Sequence, residues 1–325
     1  MPREKPGRRG PILGMTLLSC ALLVPGGAAA CSSCGCILGS DWAAQGYSAG
    51  AGFRLDVRED YFNQDQLRTG TGKFDRGGVT LPTDREVQQK TVNRNLTVAL
   101  DYSPNADWGV TVLVPYFDRF HSSIINGDTE LSASHTRSPG DIRVLGRYQG
   151  FSGDRSTGIQ AGLKLASGAF HNTFIDGPQA GQPLDRGLQP GTGTTDLLLG
   201  AYHFGTLNRD WDYFSQAIVQ LPLNSREDFR PGAGLNLNVG VRYFVSETVT
   251  PHVQINARIE KRESGANADV ANSGATLVNL SPGLTVRVTK DASIYGYVQV
   301  PIYQRVNGLQ LEPGYTLSLG VRYGF

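Results

Sequence analysis

Long hydrophobic runs are what this 325-residue chain lacks once its first thirty residues are passed. No later apolar stretch approaches the roughly 18 residues that a spanning helix needs. The mean hydropathy is −0.25, which also excludes a helical membrane protein. Charge of one sign is missing too. With 30 basic and 29 acidic side chains and a net charge of +1, nothing marks nucleic acid or another polyanion as a partner. Catalytic spacing is absent as well. The histidines His121, His135, His171, His203 and His252 are dispersed, and no H-x-x-x-H, H-E-x-x-H or G-x-S-x-G occurs. No Ser–His pair stands on one strand face, as a membrane phospholipase needs. The stretch 191–196 is glycine-rich but lacks the lysine and the helix of a phosphate loop. These absences predict a protein that is not an enzyme.

Cysteine is scarce, with four residues. Cys20 falls in a segment that reads as an export signal. Arg3, Lys5, Arg8 and Arg9 form a basic start, residues 12–24 are mostly apolar, and Ala28, Ala29 and Ala30 suit cleavage. The expected organisation is a signal peptide over 1–30, a Cys-containing periplasmic segment over 31–45, and one β domain over 46–325. Cys31, Cys34 and Cys36 form a C-x-x-C-x-C cluster. An odd number of thiols in an oxidising compartment leaves one unpaired, modified or metal-bound. Three thiolates suit Cu(I) or Zn(II), a disulfide plus one modified thiol is equally physical, and lipidation of Cys31 is a further alternative. No other cofactor is indicated.

What the chain does have is alternation. Leu235, Leu237, Val239, Val241 and Tyr243 share one face of a strand, and Asn236, Asn238, Gly240 and Arg242 share the other. Val253 to Glu260 and Asn95 to Tyr102 repeat the pattern. The end of the sequence sets Tyr315, Leu317, Leu319, Val321, Tyr323 and Phe325 against Thr316, Ser318, Gly320, Arg322 and Gly324. An apolar face toward lipid and a polar face inward describe a barrel strand. A last strand that finishes on Phe325 resembles the signal read by the bacterial barrel-assembly machinery. The segments with this character are 46–61, 92–103, 108–119, 140–150, 157–167, 195–204, 211–223, 233–245, 249–262, 275–288, 292–306 and 311–325. Residues 197–199, three leucines in a row, alternate least.

The fold class expected is all-β: a transmembrane, antiparallel, up-and-down β-barrel of about 12 strands. Connections alternate between long (62–91, 120–139, 168–194, 224–232, 263–274) and short, with 307–310 the one exception. Barrels of Gram-negative outer membranes put short turns in the periplasm and long loops outside, so both termini are expected in the periplasm. Aromatic residues near strand ends, among them Tyr61, Phe62, Tyr102, Trp108, Trp211 and Phe244, fit interfacial girdles.

A charge on the lipid face costs about 2–4 kcal/mol at mid-depth, so charged strand residues are expected inside. These are Arg54, Asp56, Arg58, Asp60, Asp101, Arg143, Arg147, Lys164, Arg242, Arg258, Glu260, Arg287, Arg305 and Arg322, with Tyr295, Tyr297, Gln299 and Tyr303 beside them. Two readings of this interior stand. It favours anionic solutes or carboxylate groups, which arginine clamps bidentately, or it is a network of ion pairs that stiffens the barrel.

Three segments carry a resemblance. Pro139-Gly140-Asp141 leads into 142–148, Gly162-Leu163-Lys164-Leu165-Ala166-Ser167-Gly168 follows, and 191–196 leads into 197–204. Together, over residues 95–325, they resemble the outer-membrane transporter family of the meta-pathway of phenol degradation. Ala166 and Ser167 stand where that family has Pro and Thr. The resemblance implies a barrel that moves small, often aromatic or hydrophobic, molecules across the outer membrane. Expected partners are therefore outer-membrane lipid, the assembly machinery and a small-molecule solute. Two other classes stay open: a metal-handling outer-membrane protein that uses the cysteine cluster, and a structural or adhesive barrel.

Overall fold

The computed structural model describes Gln45 and residues 50–325, so the signal segment and Cys31, Cys34 and Cys36 lie outside the described residues. The chain forms β1 (Gly52–Gly70), β2 (Gly72–Lys73), β3 (Val87–Ser103), β4 (Trp108–Ile124), β5 (Ser132–Pro139), β6 (Arg143–Tyr148) and β7 (Thr157–Lys164). It continues through β8 (Asp196–Asn208), β9 (Trp211–Pro222), β10 (Gly234–Tyr243), β11 (Val249–Glu260), β12 (Ala275–Arg287) and β13 (Ala292–Gly324). Pairing is antiparallel throughout. β13 returns to β1, from Arg54↔Gly324 to Gly70↔Val306, and closes the sheet on itself.

Eleven strands make the ring, and β2 and β5 flank it. β5 and β6 both pair with β4, so they are one strand interrupted at 140–142. β12 and β1 run in opposite directions, yet β13 is antiparallel to both, through 293–306 to β12 and through 306–324 to β1. It therefore reverses between these stretches, at Gly308, whose φ of +63° suits glycine. With β13 counted twice, the wall is crossed twelve times among the described residues.

Burial is inverted relative to a soluble protein. Leu100, Val239, Ile255 and Leu319 point outward and are exposed, whereas Lys164, Arg242, Asn256 and Arg322 point inward and are buried. Such a surface is stable only in hydrocarbon, where closure leaves no backbone group unpaired. The lower end, with the short turns and Phe325, is ringed by aromatic pairs: Phe53–Tyr102, Trp108–Tyr148, Trp211–Tyr243 and Tyr323–Phe325, at 4.5, 4.6, 4.8 and 4.8 Å between centroids. Toward the upper end Tyr116, Tyr303 and Tyr315 face outward. Above Tyr116, Arg94 pairs in register with Asp118, which marks where the apolar band stops.

Three features differ from the sequence expectations. The stretches 62–91 and 120–139 are largely strand, because β1, β3, β4 and β5 run on above the apolar band. Beyond lipid a strand has no reason to alternate, so polar sequence hides it. Phe62, expected in a girdle, turns inward and is 5% exposed. The third difference is a bulge. Val278 pairs with Tyr303 but Asn279 with Pro301, leaving Ile302 as an extra residue. The bulge flips the facing beyond it. Tyr303 and Arg305, expected inside, lie on the outer face, and Gln304 and Val306 turn in. Arg305 stands one outward step above Tyr303, paired with Thr276 near the upper end of β12.

The bulge is checked by tryptophan scanning in bilayers of brominated lipid. Tyr303→Trp should add quenchable fluorescence and Gln304→Trp should not; strict alternation predicts the reverse.

Candidate functional site: the lumen and its loop cap

At the lower end, the β1–β3 register sets Arg54 opposite Asp101. Arg54 donates to Asp101 Oδ1 at 2.6 Å and to Ser103 Oγ at 2.9 Å. Arg147, from β6, donates to the same carboxylate and to Ser103 Oγ at 2.5 Å. Thr111 adds a hydroxyl at 2.8 Å. Two guanidiniums thus address one carboxylate. Gly109 faces Arg147 across β4–β6, and any side chain there would collide with the guanidinium. The same device recurs where Gly240 lies beneath Phe214 and Gly320 beneath Tyr295. Large inward groups thus lie close against bare wall at these three glycines.

Asp56 on β1 accepts from Tyr295 at 2.9 Å and from Arg322 Nε at 3.0 Å, and the Arg322 guanidinium stacks on the Tyr295 ring at 4.2 Å. Other basic groups are paired in turn: Arg58 with Asp60 at 2.9 Å, Arg258 with Glu260 at 2.9 Å and Arg242 with Asp212 at 3.4 Å. Between the charged levels runs a belt of neutral groups. Gln216 donates to Gln160 at 2.9 Å, Asn256 to Asn238 at 2.5 Å, and Ser281 to Asn256 at 2.6 Å.

Higher up, the three segments singled out in the sequence meet. Lys164 Nζ lies 2.8 Å from Asp141 Oδ2, 3.4 Å from Asp196 Oδ2 and 2.9 Å from the Thr194 carbonyl. Asp141 also accepts from the backbone N–H of Gly168 and of Thr192, both at 3.0 Å. One carboxylate therefore holds both ends of the long loop 165–195. Gly168 and Gly191 touch backbone to backbone at that crossing.

The loop then folds over the upper mouth. Phe174, Leu184 and Leu188 bury themselves with Ile125, and inward-facing Arg119 donates to the Leu188 carbonyl at 2.8 Å. Arg186 stacks on Phe170 at 4.5 Å and on Phe229 at 5.1 Å, tying the β7–β8 loop to the β9–β10 loop. Asp185 lies within electrostatic reach of Glu86, Glu263 and Asp269, carboxylates from two other loops. Burial, and then repulsion from Glu260 and Asp269, pushes Glu263 up to about 8. Burial, and then Glu263, raises Asp185 well above the ordinary carboxylate range, and burial raises Asp269.

Arg54, Asp56, Arg58, Asp101, Arg143, Arg147, Lys164, Arg242, Arg258, Tyr297 and Arg322 stand on the inner face. Arg287 has the inward register but is exposed at the lower rim, and Arg305 is outside. The sequence reading missed Arg119, whose inward position followed from the alternation of β4. It also missed the amide belt and the acidic loop cluster. The belt residues were visible as polar positions; the cluster had no signal, because its members lie far apart in the chain.

No protein-family model and no curated protein matches the chain. Solved structures do. An outer membrane channel from Pseudomonas putida F1 superposes with a TM-score of 0.62 at 12% identity, over 85% of this chain and 96% of that one. The KdgM porin gives 0.42 at 12% identity over 84% and 99%, and the Pseudomonas putida toluene transporter TodX gives 0.40 at 9% over 88% and 93%. The fold is that of an outer-membrane channel.

Replacing Lys164 with Met leaves Asp141 and Asp196 buried without their cation. The expected loss is about 3–5 kcal/mol, read as a lower denaturant midpoint for the heat-modifiable gel shift. Adding Asp141→Asn should restore part of it. An unchanged midpoint in Lys164→Met would show that the tie does not hold the loop.

Proposed function

We propose that the chain is a channel of a Gram-negative outer membrane, with its termini in the periplasm, that passes small organic solutes and prefers those bearing a carboxylate. The observation that carries this reading is a closed wall, apolar outside and polar inside, in which Arg54 and Arg147 share the single carboxylate of Asp101. Most lumen cations are neutralised by a neighbouring acid. That level keeps a net positive charge, and a cation beside low-dielectric walls focuses the field on passing anions. The amide belt above gives neutral hydrogen-bonding partners to whatever has shed water.

The reading is tested in planar bilayers under a KCl gradient. The wild type should conduct and favour chloride. Arg54→Gln leaves Asp101 balanced by Arg147, so folding should survive while the chloride-to-potassium permeability ratio drops by about two- to fivefold. Liposome swelling should run faster with small carboxylates than with matched cations. Absence of conductance both in the wild type and after deletion of 170–189 would end the proposal.

A further inference from the structure

One charged strand residue faces lipid. On β1 the outward row is Phe53, Leu55, Val57, Glu59 and Tyr61, and Glu59 is exposed on it, while Arg58 and Asp60 pair with each other on the inner face. Its neighbours in register are Leu96 on β3 and Leu319 on β13, both exposed on the outer face. At about 3.3 Å per residue, Glu59 stands about 20 Å along the strand from Phe53, inside a band that a tilted strand needs roughly 9–11 residues to cross. An ionisable group so placed is costly and calls for a partner. Glu59 makes no hydrogen bond or ion pair among the described residues.

An outward cation without a partner lies close by. Arg94 stands opposite Tyr61 in the β1–β3 register, at the upper edge of the band, and is exposed. Asp118, its register partner on β4, is already engaged by His135 Nε2 at 2.7 Å and by Arg137 Nε at 3.1 Å. Arg94, too, has no ion pair among the described residues. Within one chain Glu59 and Arg94 sit on a diagonal, with Tyr61 and Leu96 at the other two corners. The wall differs on the two sides of this pair. On the β13 side runs a groove of about 490 Å³. Gly296 leaves its floor bare, and Leu284, Val298, Leu317, Leu319 and Tyr61 line it together with Glu59. On the β3–β4 side the wall carries large exposed side chains, among them Leu96, Leu100, Val114 and Tyr116.

We infer that two copies of this chain pair side by side in the membrane, about a twofold axis along its normal that passes the seam of β1 and β3. The axis sets Glu59 of each copy against Arg94 of the other, so the interface is self-complementary. It also turns the β3–β4 ridge of one copy toward the groove of the other, because ridge and groove lie on opposite sides of the seam. In hydrocarbon, association is driven by packing and polar contacts, and a ridge, a groove and a reciprocal ion pair supply both. Each copy keeps its own lumen, so the pairing holds whichever solutes pass.

The experiment co-expresses two full-length forms with different affinity tags and extracts them in mild detergent. It measures how much of one form is captured with the other, and sedimentation gives the mass. Wild type should capture wild type as a dimer. Glu59→Arg should capture itself at least about tenfold less, and Arg94→Glu likewise, because each sets like charges against each other. Glu59→Arg mixed with Arg94→Glu should recover wild-type capture, since both contacts then join opposite charges. An ion pair within one chain predicts no recovery in that mixture, and that result would overturn the inference. A wild type that sediments as a monomer, or single variants that capture themselves as the wild type does, would overturn it too. The heat-modifiable gel shift must persist in each variant. Should Glu59→Arg fail to insert, Glu59→Gln keeps the shape and should still lower capture severalfold; undiminished capture would count against the pairing. Asp154→Asn, in an exposed turn away from the band, should leave capture unchanged.

Discussion

Backbone hydrogen bonds have no substitute inside hydrocarbon, and the pairing of β1 with β13 is where this chain meets that demand. Without that seam the sheet would present two open edges to lipid. With it, each strand has two neighbours, and the side chains are sorted by the pleat alone. One set meets acyl chains and must be apolar. The other meets its own kind across an enclosed space and is free to carry charge.

The interior then follows its own rule. A charge inside a narrow, low-dielectric ring must be answered nearby, and Asp101, Asp56, Asp60, Asp141, Asp212 and Glu260 answer the arginines and Lys164 at successive levels. Under the proposed function the two sequence readings of the lumen, an anion-favouring passage and a stiffening network, do not compete. Ion pairs make the wall rigid, and the level at which two guanidiniums share one carboxylate keeps a surplus charge. Glycines opposite Arg147, Phe214 and Tyr295 leave room for these large groups against the wall.

Much of this was legible in the residues. β9 to β12 fall within two residues of their expected bounds, because both faces of each strand are committed, one to lipid and one to the lumen. The run 197–199 looked ambiguous because all three residues are leucine. Leu198 points inward and is buried, and Leu199 is exposed. A leucine on the lumen face is tolerated, so the pattern was degenerate rather than wrong. The errors lie where the environment stops discriminating: strands above the bilayer, and residues past the bulge at Ile302. A single extra residue shifts the phase of a period-two pattern, and nothing in Tyr303 or Arg305 announces it.

Alternation along the chain determined the barrel, the number of crossings and the inner face of most charged residues, since a pleat translates position directly into environment. Which charges meet, and how the loop 165–195 is pinned at both ends by Asp141, were decided by the tertiary structure. Those contacts join residues brought together only when the ring closes, and a one-dimensional pattern holds no distance between its distant parts.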